Sequence, residues 1–196
     1  AALALAIVRR EGVRRVIVAG SAFLLIVVSL GLLRNGFPVP CRLYLLETHW
    51  VGPAMQLIEL ALAAFIVFLA VRHGKWPIVP LVLAQAALGL WFELTRGPRL
   101  ESVFPLFLDR LSLTMALIIG VVGSLIAVYA LGYMKSFHEH AGDTVPDKRR
   151  SFFFVIFVFL SAMFGVVFSN DLLWFYFFWE ITTICSFVLI AYRGNR

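Results

Sequence analysis

The chain has 196 residues, of which 62% are hydrophobic and only 14% charged, and this excludes an ordinary soluble domain. The net charge is +6, but the basic residues cluster between apolar runs rather than along one face, so membrane topology explains them better than nucleic acid does. Cys41 and Cys185 are too few for an iron–sulfur cluster or a four-ligand zinc site, and no glycine-rich phosphate loop or dinucleotide fingerprint is present.

The fold class predicted from this pattern is all-α, a polytopic transmembrane helical bundle. Residues 1–8 are apolar but too short to span, and they read as the end of a helix whose start is missing. The first full span is predicted over 16–33, after a basic stretch with Arg9, Arg10, Arg14 and Arg15. A loop with Pro38 and Pro40 leads to the second span, 51–71, which carries Gln56 and Glu59. A tight basic turn, 72–75, precedes the third span, 76–94, with Gln85 midway. The fourth span is predicted over 107–134. The most polar stretch, 135–150, separates it from the fifth, 151–168. Residues 169–171 turn straight into the sixth, 172–192. With Cys185 in that helix and Cys41 in a loop, a disulfide is not expected.

The charges test this layout. Residues 9–15, 72–75, 135–150 and 193–196 fall on one side and hold twelve of the seventeen Lys and Arg. Arg34, Arg42, Arg96, Arg99 and Arg110 fall on the other. The excess of positive charge places the first set in the cytoplasm and makes the chain a multi-pass protein of the cell (inner) membrane.

Glu180 is the one charge in the sixth span and stands near its middle. A carboxylate at that depth costs about 3 kcal/mol on insertion scales, a cost that calls for a use or a partner. At about 100° per residue, Tyr176 and Thr183 share its face and form a short polar stripe. A desolvated carboxyl with a cation nearby can exchange a proton near neutral pH. The competing reading is a structural Glu hydrogen-bonded to another helix. Glu59 is the second buried acid. Gln56 one turn before it and Gln85 on the next helix make it a candidate polar clasp, with a second proton site as the alternative. Asp109 precedes the apolar run LSLTM and is the expected N-cap of that helix, against a direct role in ion entry. The Ser112 and Thr114 hydroxyls are expected to bond to the preceding turn. His138, Glu139 and His140 lack a fourth metal ligand and are expected in a solvated loop. Residues 148–150 are expected to anchor topology near lipid headgroups, and the aromatics of 152–179 to serve packing and lipid contact.

Two stretches carry a resemblance. LDRLSLTM at 108–115 and SNDLLWFYFFWEITTICSFVLIAY at 169–192 together resemble the antiporter-like, proton-translocating membrane subunits of respiratory complex I, above all its subunit L. They are equally similar to the homologous subunits of energy-converting membrane-bound nickel–iron hydrogenases and of multi-subunit Na⁺/H⁺ antiporters. Trp179, Glu180, Cys185 and Ser186 match the family's second motif, while Arg110 stands where the family usually has Gly. The resemblance covers about half the chain and leaves out the hairpin 51–94. That added helix pair, with the wording around Glu180, tilts the expectation towards the hydrogenase branch.

The resemblance implies the N-terminal part of an antiporter-like subunit, moving H⁺ and, in some branches, exchanging it for Na⁺. Glu180 then corresponds to the channel glutamate, which the family pairs with a Lys on a later, broken helix beyond Arg196. None of Lys75, Lys135 and Lys148 falls mid-membrane. No cofactor is expected in this chain. A NiFe centre, Fe–S clusters or quinone are implied on partner subunits, with other integral membrane subunits, a peripheral redox arm and the lipid bilayer as partners. The alternative is a structural scaffold that keeps the fold without pumping.

Overall fold

A computed structural model describes residues 2–7, 11–34, 41–43, 51–100, 106–141 and 149–191. The chain divides into two compact units, Ala1–Leu43 with Leu106–Arg196, and Tyr44–Pro105.

The first unit is a helical bundle. Its elements are α1 (Ala2–Ile7), α2 (Glu11–Arg34), β1 (Cys41–Leu43), β2 (Leu106–Leu108), α5 (Arg110–Ala141), α6 (Arg149–Phe168) and α7 (Leu172–Ala191). Among them α5 packs against α2 and α6, and α6 packs in turn against α1 and α7. The short α1 is held by Leu5, which is fully buried. On α2 the buried residues Arg14, Val18, Ala22 and Ser29 recur every three to four positions, so one stripe faces inward. The facing stripe of α5 is built from small residues, Ala116, Gly120, Ser124 and Ala127. Small side chains let two membrane helices approach closely where water supplies no driving force. A Cβ at Gly120 would collide with the side chain of Ser29. The apolar core joins these helices through Val18, Ile119, Ala130, Met134, Phe153 and Leu160.

Two sets of contacts fix which helix ends lie together. At one end, β1 and β2 pair antiparallel, with Arg42 opposite Phe107, and Leu106 bridges to Ser169. The C-terminal side of α2, the start of α5 and the end of α6 therefore meet there. At the other end, Arg149 at the start of α6 bonds to Glu11 at the start of α2.

The second unit holds α3 (Val51–Arg72) and α4 (Ile78–Leu100), packed together as a hairpin. Pro53 and Pro80 lie in the first turns of these helices, where the missing N–H has no intrahelical partner to lose. The turn between them depends on Gly74, whose φ of 67° is in the left-handed region that glycine enters without steric cost. Its N–H donates to Val71 at 3.2 Å and the Lys75 N–H to Ala70 at 2.8 Å, which closes α3 with two of its orphan carbonyls satisfied.

The protein is thus an all-α, multi-pass membrane protein. Among the described residues five helices, α2, α3, α5, α6 and α7, are long and apolar enough to cross a bilayer, and Ile78–Phe92 of α4 is a shorter apolar helix. The helical backbone of α5 continues to Ala141 through residues expected in a loop, and α4 continues to Leu100. Helical hydrogen bonding is local and does not require apolar side chains, so a helix can outlast its membrane span. Arg9, Arg10, Lys148 and the stretch 192–196 lie outside the described residues, as do the side chains of His138, Glu139, His140 and Cys41.

Candidate functional site

The site is carried by α7. Asp171 starts the helix: its carboxylate accepts the Leu173 N–H at 2.8 Å and its carbonyl the Phe175 N–H at 2.9 Å. This is an N-cap that the run Ser169–Asn170–Asp171 before an apolar stretch advertises in sequence. Glu180 stands nine residues on, roughly 13 Å along the axis at 1.5 Å per residue. The Tyr176 hydroxyl, one turn earlier, donates to Glu180 Oε1 at 2.7 Å. That length suits a charge-assisted O–H···O⁻ bond.

Thr183 does not join them. Its hydroxyl donates to the Trp179 carbonyl at 3.1 Å, as does that of Thr182 at 2.7 Å, while Ser186 donates to Thr182 at 2.8 Å. Short hydroxyl side chains on a helix take the preceding carbonyl when no stronger acceptor is in reach. Phe177 and the free thiol of Cys185 are buried on the inner side of α7, whereas Trp179, Phe187 and Ile190 are exposed. Glu180 is half-buried, at the border between these two sides. The hydroxyl of Tyr176 can give and accept a proton, and the carboxyl of Glu180 can exist with or without one. The pair therefore has the parts of a proton-transfer step inside an otherwise apolar helix.

Asp109 caps α5. Its Oδ1 accepts the Ser112 N–H at 2.6 Å and the Ser112 hydroxyl at 2.5 Å, and the Ser112 oxygen stands 3.4 Å from the Asp109 N–H. The Thr114 hydroxyl turns back to Arg110 at 2.9 Å. The Ser112 hydroxyl, followed by its N–H, holds the Asp109 carboxyl below its ordinary value of 3.8. A depressed folded-state value means that the cap contributes fully above the ordinary carboxylate range and is lost as pH falls through the lowered value. Asp109→Asn is expected to keep the cap and remove this acid dependence. Asp109→Ala is expected to remove both and to lower the melting temperature by on the order of 2 °C. Thermal unfolding across a pH series checks both.

Gln56 and Glu59 are half-buried one turn apart on α3, and Gln85 is exposed on α4. All three belong to the second unit, apart from Glu180 in sequence and in unit. If the acid serves as a clasp, Glu59→Gln keeps a similar hydrogen-bonding side chain. Transport by the full-length protein should then change by less than about twofold. A large loss of transport with normal assembly would make Glu59 a proton site instead.

Among the described residues no group of three His, Cys, Asp or Glu could hold a metal ion. A second charged cluster, unforeseen as a unit, lies at the paired starts of α2 and α6: Glu11, Arg14, Arg15 and Arg149. The spacing of Glu11 from Arg14 and Arg15, three and four residues, is the signal that could have found part of it.

The family described as NADH-ubiquinone oxidoreductase (complex I), chain 5 N-terminus, matches residues 91–143. The Na⁺/H⁺ antiporter subunit A1 of Staphylococcus haemolyticus (strain JCSC1435) is 38% identical over 99 residues, which is 50% of this chain and 11% of that protein. Over these stretches the chain is similar to antiporter-like membrane subunits. The subunits of the same description from Staphylococcus aureus strains JH9 and Newman are 37% identical over 99 residues. The chain spans about a ninth of the length of these curated relatives. No solved structure matches it.

Proposed function

We propose that the chain is part of an ion-translocating membrane subunit in which Glu180 takes up and releases a proton. The observation that carries this reading is the Tyr176–Glu180 hydrogen bond at 2.7 Å, in the middle of an apolar helix. In that helix a carboxylate is costly unless it is partnered or used. Tyr176 stabilises the charged form by donating to it. On protonation the same oxygen pair can reverse roles, so a proton can pass between Tyr176 and Glu180. Asp109, Gln56, Glu59, Gln85 and Thr183 are accessory polar groups in this reading, with Asp109 and Thr183 engaged locally.

The subunit works in an assembly with other integral membrane subunits. Resemblance to complex I and to the membrane-bound hydrogenases favours a redox-driven complex, whose peripheral arm would carry the NiFe centre, Fe–S clusters or quinone. The names of these relatives favour a second reading, exchange of Na⁺ for H⁺ without redox partners. Proton uptake by vesicles holding the full-length assembly separates them. Uptake driven by an electron donor supports the first, and uptake driven only by a Na⁺ gradient supports the second. The absence of both would leave a non-pumping scaffold and sink the translocation reading.

The side of the membrane is tested by labelling. Lys135→Cys is expected to react with an impermeant thiol reagent from the cytoplasmic face and Arg34→Cys from the opposite face. Both positions are exposed, Arg34 at the end of α2 and Lys135 near the end of the apolar span of α5. The reverse pattern would overturn the topology.

A further inference from the structure

The turn that joins α3 to α4 collects positive charge that nothing in the hairpin balances. Arg72, His73 and Lys75 stand around Gly74, and all three are exposed. No Asp or Glu occurs between Glu59 and Glu93, so the hairpin brings no acid to its own turn. Among the described residues neither Arg72 nor Lys75 forms an ion pair. Nor do they cap α3. Basic side chains near a helix C-terminus can bond to its last carbonyls. Here backbone N–H groups already take them: His73 donates to Leu69 at 3.0 Å, Lys75 to Ala70 at 2.8 Å and Gly74 to Val71 at 3.2 Å. The His73 ring adds a second bond to Leu69, with Nδ1 at 2.9 Å from the carbonyl oxygen. A carbonyl only accepts, so Nδ1 carries the proton and Nε2 stays available. The Arg72 guanidinium and the Lys75 ammonium are thus left for a group outside the hairpin.

The depth of the turn selects that group. The apolar part of α3 runs from Pro53 to Arg72, 20 residues. At about 1.5 Å per residue this is about 30 Å, the thickness of the hydrocarbon layer, so Arg72 falls at its boundary. The apolar run of α4 begins at Ile78. Residues 72–77 therefore lie at the level of the headgroups. Trp76, 66% exposed, is of the residue type that settles there, with an apolar ring and one N–H donor. About one turn deeper, Phe68 on α3 and Leu81 on α4 present exposed apolar surface. A phosphate at the level of the cations with acyl chains beneath matches both surfaces. An acidic protein surface would match the charges and leave the apolar rim uncovered. We propose that Arg72, His73 and Lys75, with Trp76, form a binding site for the headgroup phosphate of an anionic phospholipid. The bound lipid sets the depth of the hairpin in the bilayer. The site is separate from Glu180, which belongs to the other unit.

The test uses the full-length protein in its assembly, in phosphatidylcholine nanodiscs that contain a photoactivatable phosphatidylglycerol or, in a parallel sample, a photoactivatable phosphatidylcholine. Mass spectrometry counts the lipid adducts on the peptide that holds residues 72–76. Phosphatidylglycerol is expected to label this peptide at least about fivefold more than phosphatidylcholine. Arg72→Gln and Lys75→Gln should each lower the phosphatidylglycerol adducts about fivefold, the effect of one basic residue at an anionic surface. Both positions are exposed, so these substitutions leave the packing of the hairpin intact. Arg72→Lys keeps the charge and should keep the labelling. Equal labelling by the two lipids, unchanged labelling in both Gln variants, or a loss in Arg72→Lys as large as in Arg72→Gln would overturn the proposal. Loss of the adducts on adding inorganic phosphate, but not chloride of equal ionic strength, would also overturn it, because the site would then read a free anion. Adducts from neither lipid would overturn it as well and leave the cations to an acidic surface of another subunit.

Discussion

Glu180→Gln, in the full-length assembled protein, is expected to leave folding and assembly intact and to lower proton transfer at least about tenfold. The substitution keeps the size of the side chain and an oxygen that can accept from the Tyr176 hydroxyl, now at 2.7 Å. What it removes is the titratable proton and the negative charge. Any reaction tightly coupled to pumping should fall with it. Glu180→Asp keeps the charge on a stem one methylene shorter, so the carboxylate moves away from Tyr176 and from any cation it must pair with. Its loss should be milder, because charge coupling declines with distance rather than vanishing. Tyr176→Phe provides the complementary variant. It leaves the carboxyl but removes its donor, and transport should fall less than in Glu180→Gln. A half-buried carboxyl on a membrane helix also predicts inactivation by membrane-permeant carbodiimides and resistance to water-soluble ones. The measurement is proton uptake in reconstituted vesicles. Normal assembly with unchanged rate and stoichiometry in Glu180→Gln would make this residue structural.

Glu180 was legible in the sequence because it is a single charge in an apolar run, and an isolated cost of that kind stands out against its background. Tyr176 was legible because a separation of four residues returns to the same helix face. Thr183 shares that face too, yet face-sharing sets only who can meet. The nearer carbonyl of Trp179 takes its hydroxyl. The ribbon of Cys41–Leu43 with Leu106–Leu108 was out of reach, since three-residue strands carry no usable period and their partners are more than sixty positions apart. Arg14 was read as one of several loop charges marking topology. Its burial depends on the packing of α2 beside α6, and hydropathy along one helix contains no information about the next. Helix ends were the least readable feature for a related reason: hydropathy reports where the bilayer ends, and α5 continues as a helix beyond Met134 into Lys135 and Ser136.

The contact between α6 and α7 rests on a place where one helix has no side chain. Gly165 of α6 faces Phe178 of α7, and a Cβ there would fall within the aromatic ring. The ring has little room to yield, because Phe177 stands at 5.4 Å and Trp174 at 6.3 Å between centroids. Gly165→Ala is therefore expected to destabilise the unit by about 1–3 kcal/mol, the usual range for overpacking, and Gly165→Leu by more. Glu180 lies two residues beyond Phe178, so the displacement should also move the carboxyl and lower transport although every polar group is retained. Gly132→Ala is the control. A Cβ there meets nothing within 4 Å, so the substitution should be neutral or slightly stabilising, as Ala for Gly in a helix generally is. Phe178→Ala alone leaves a cavity, with an expected cost of about 3–5 kcal/mol. Combined with Gly165→Ala, the new methyl occupies part of the space that the ring vacated, so the double variant should lose less stability than the two single losses added together. Thermal unfolding of the four proteins measures that coupling. Strict additivity would mean that Gly165 and Phe178 do not oppose one another, and the close approach of α6 and α7 would no longer explain how Glu180 is held in place.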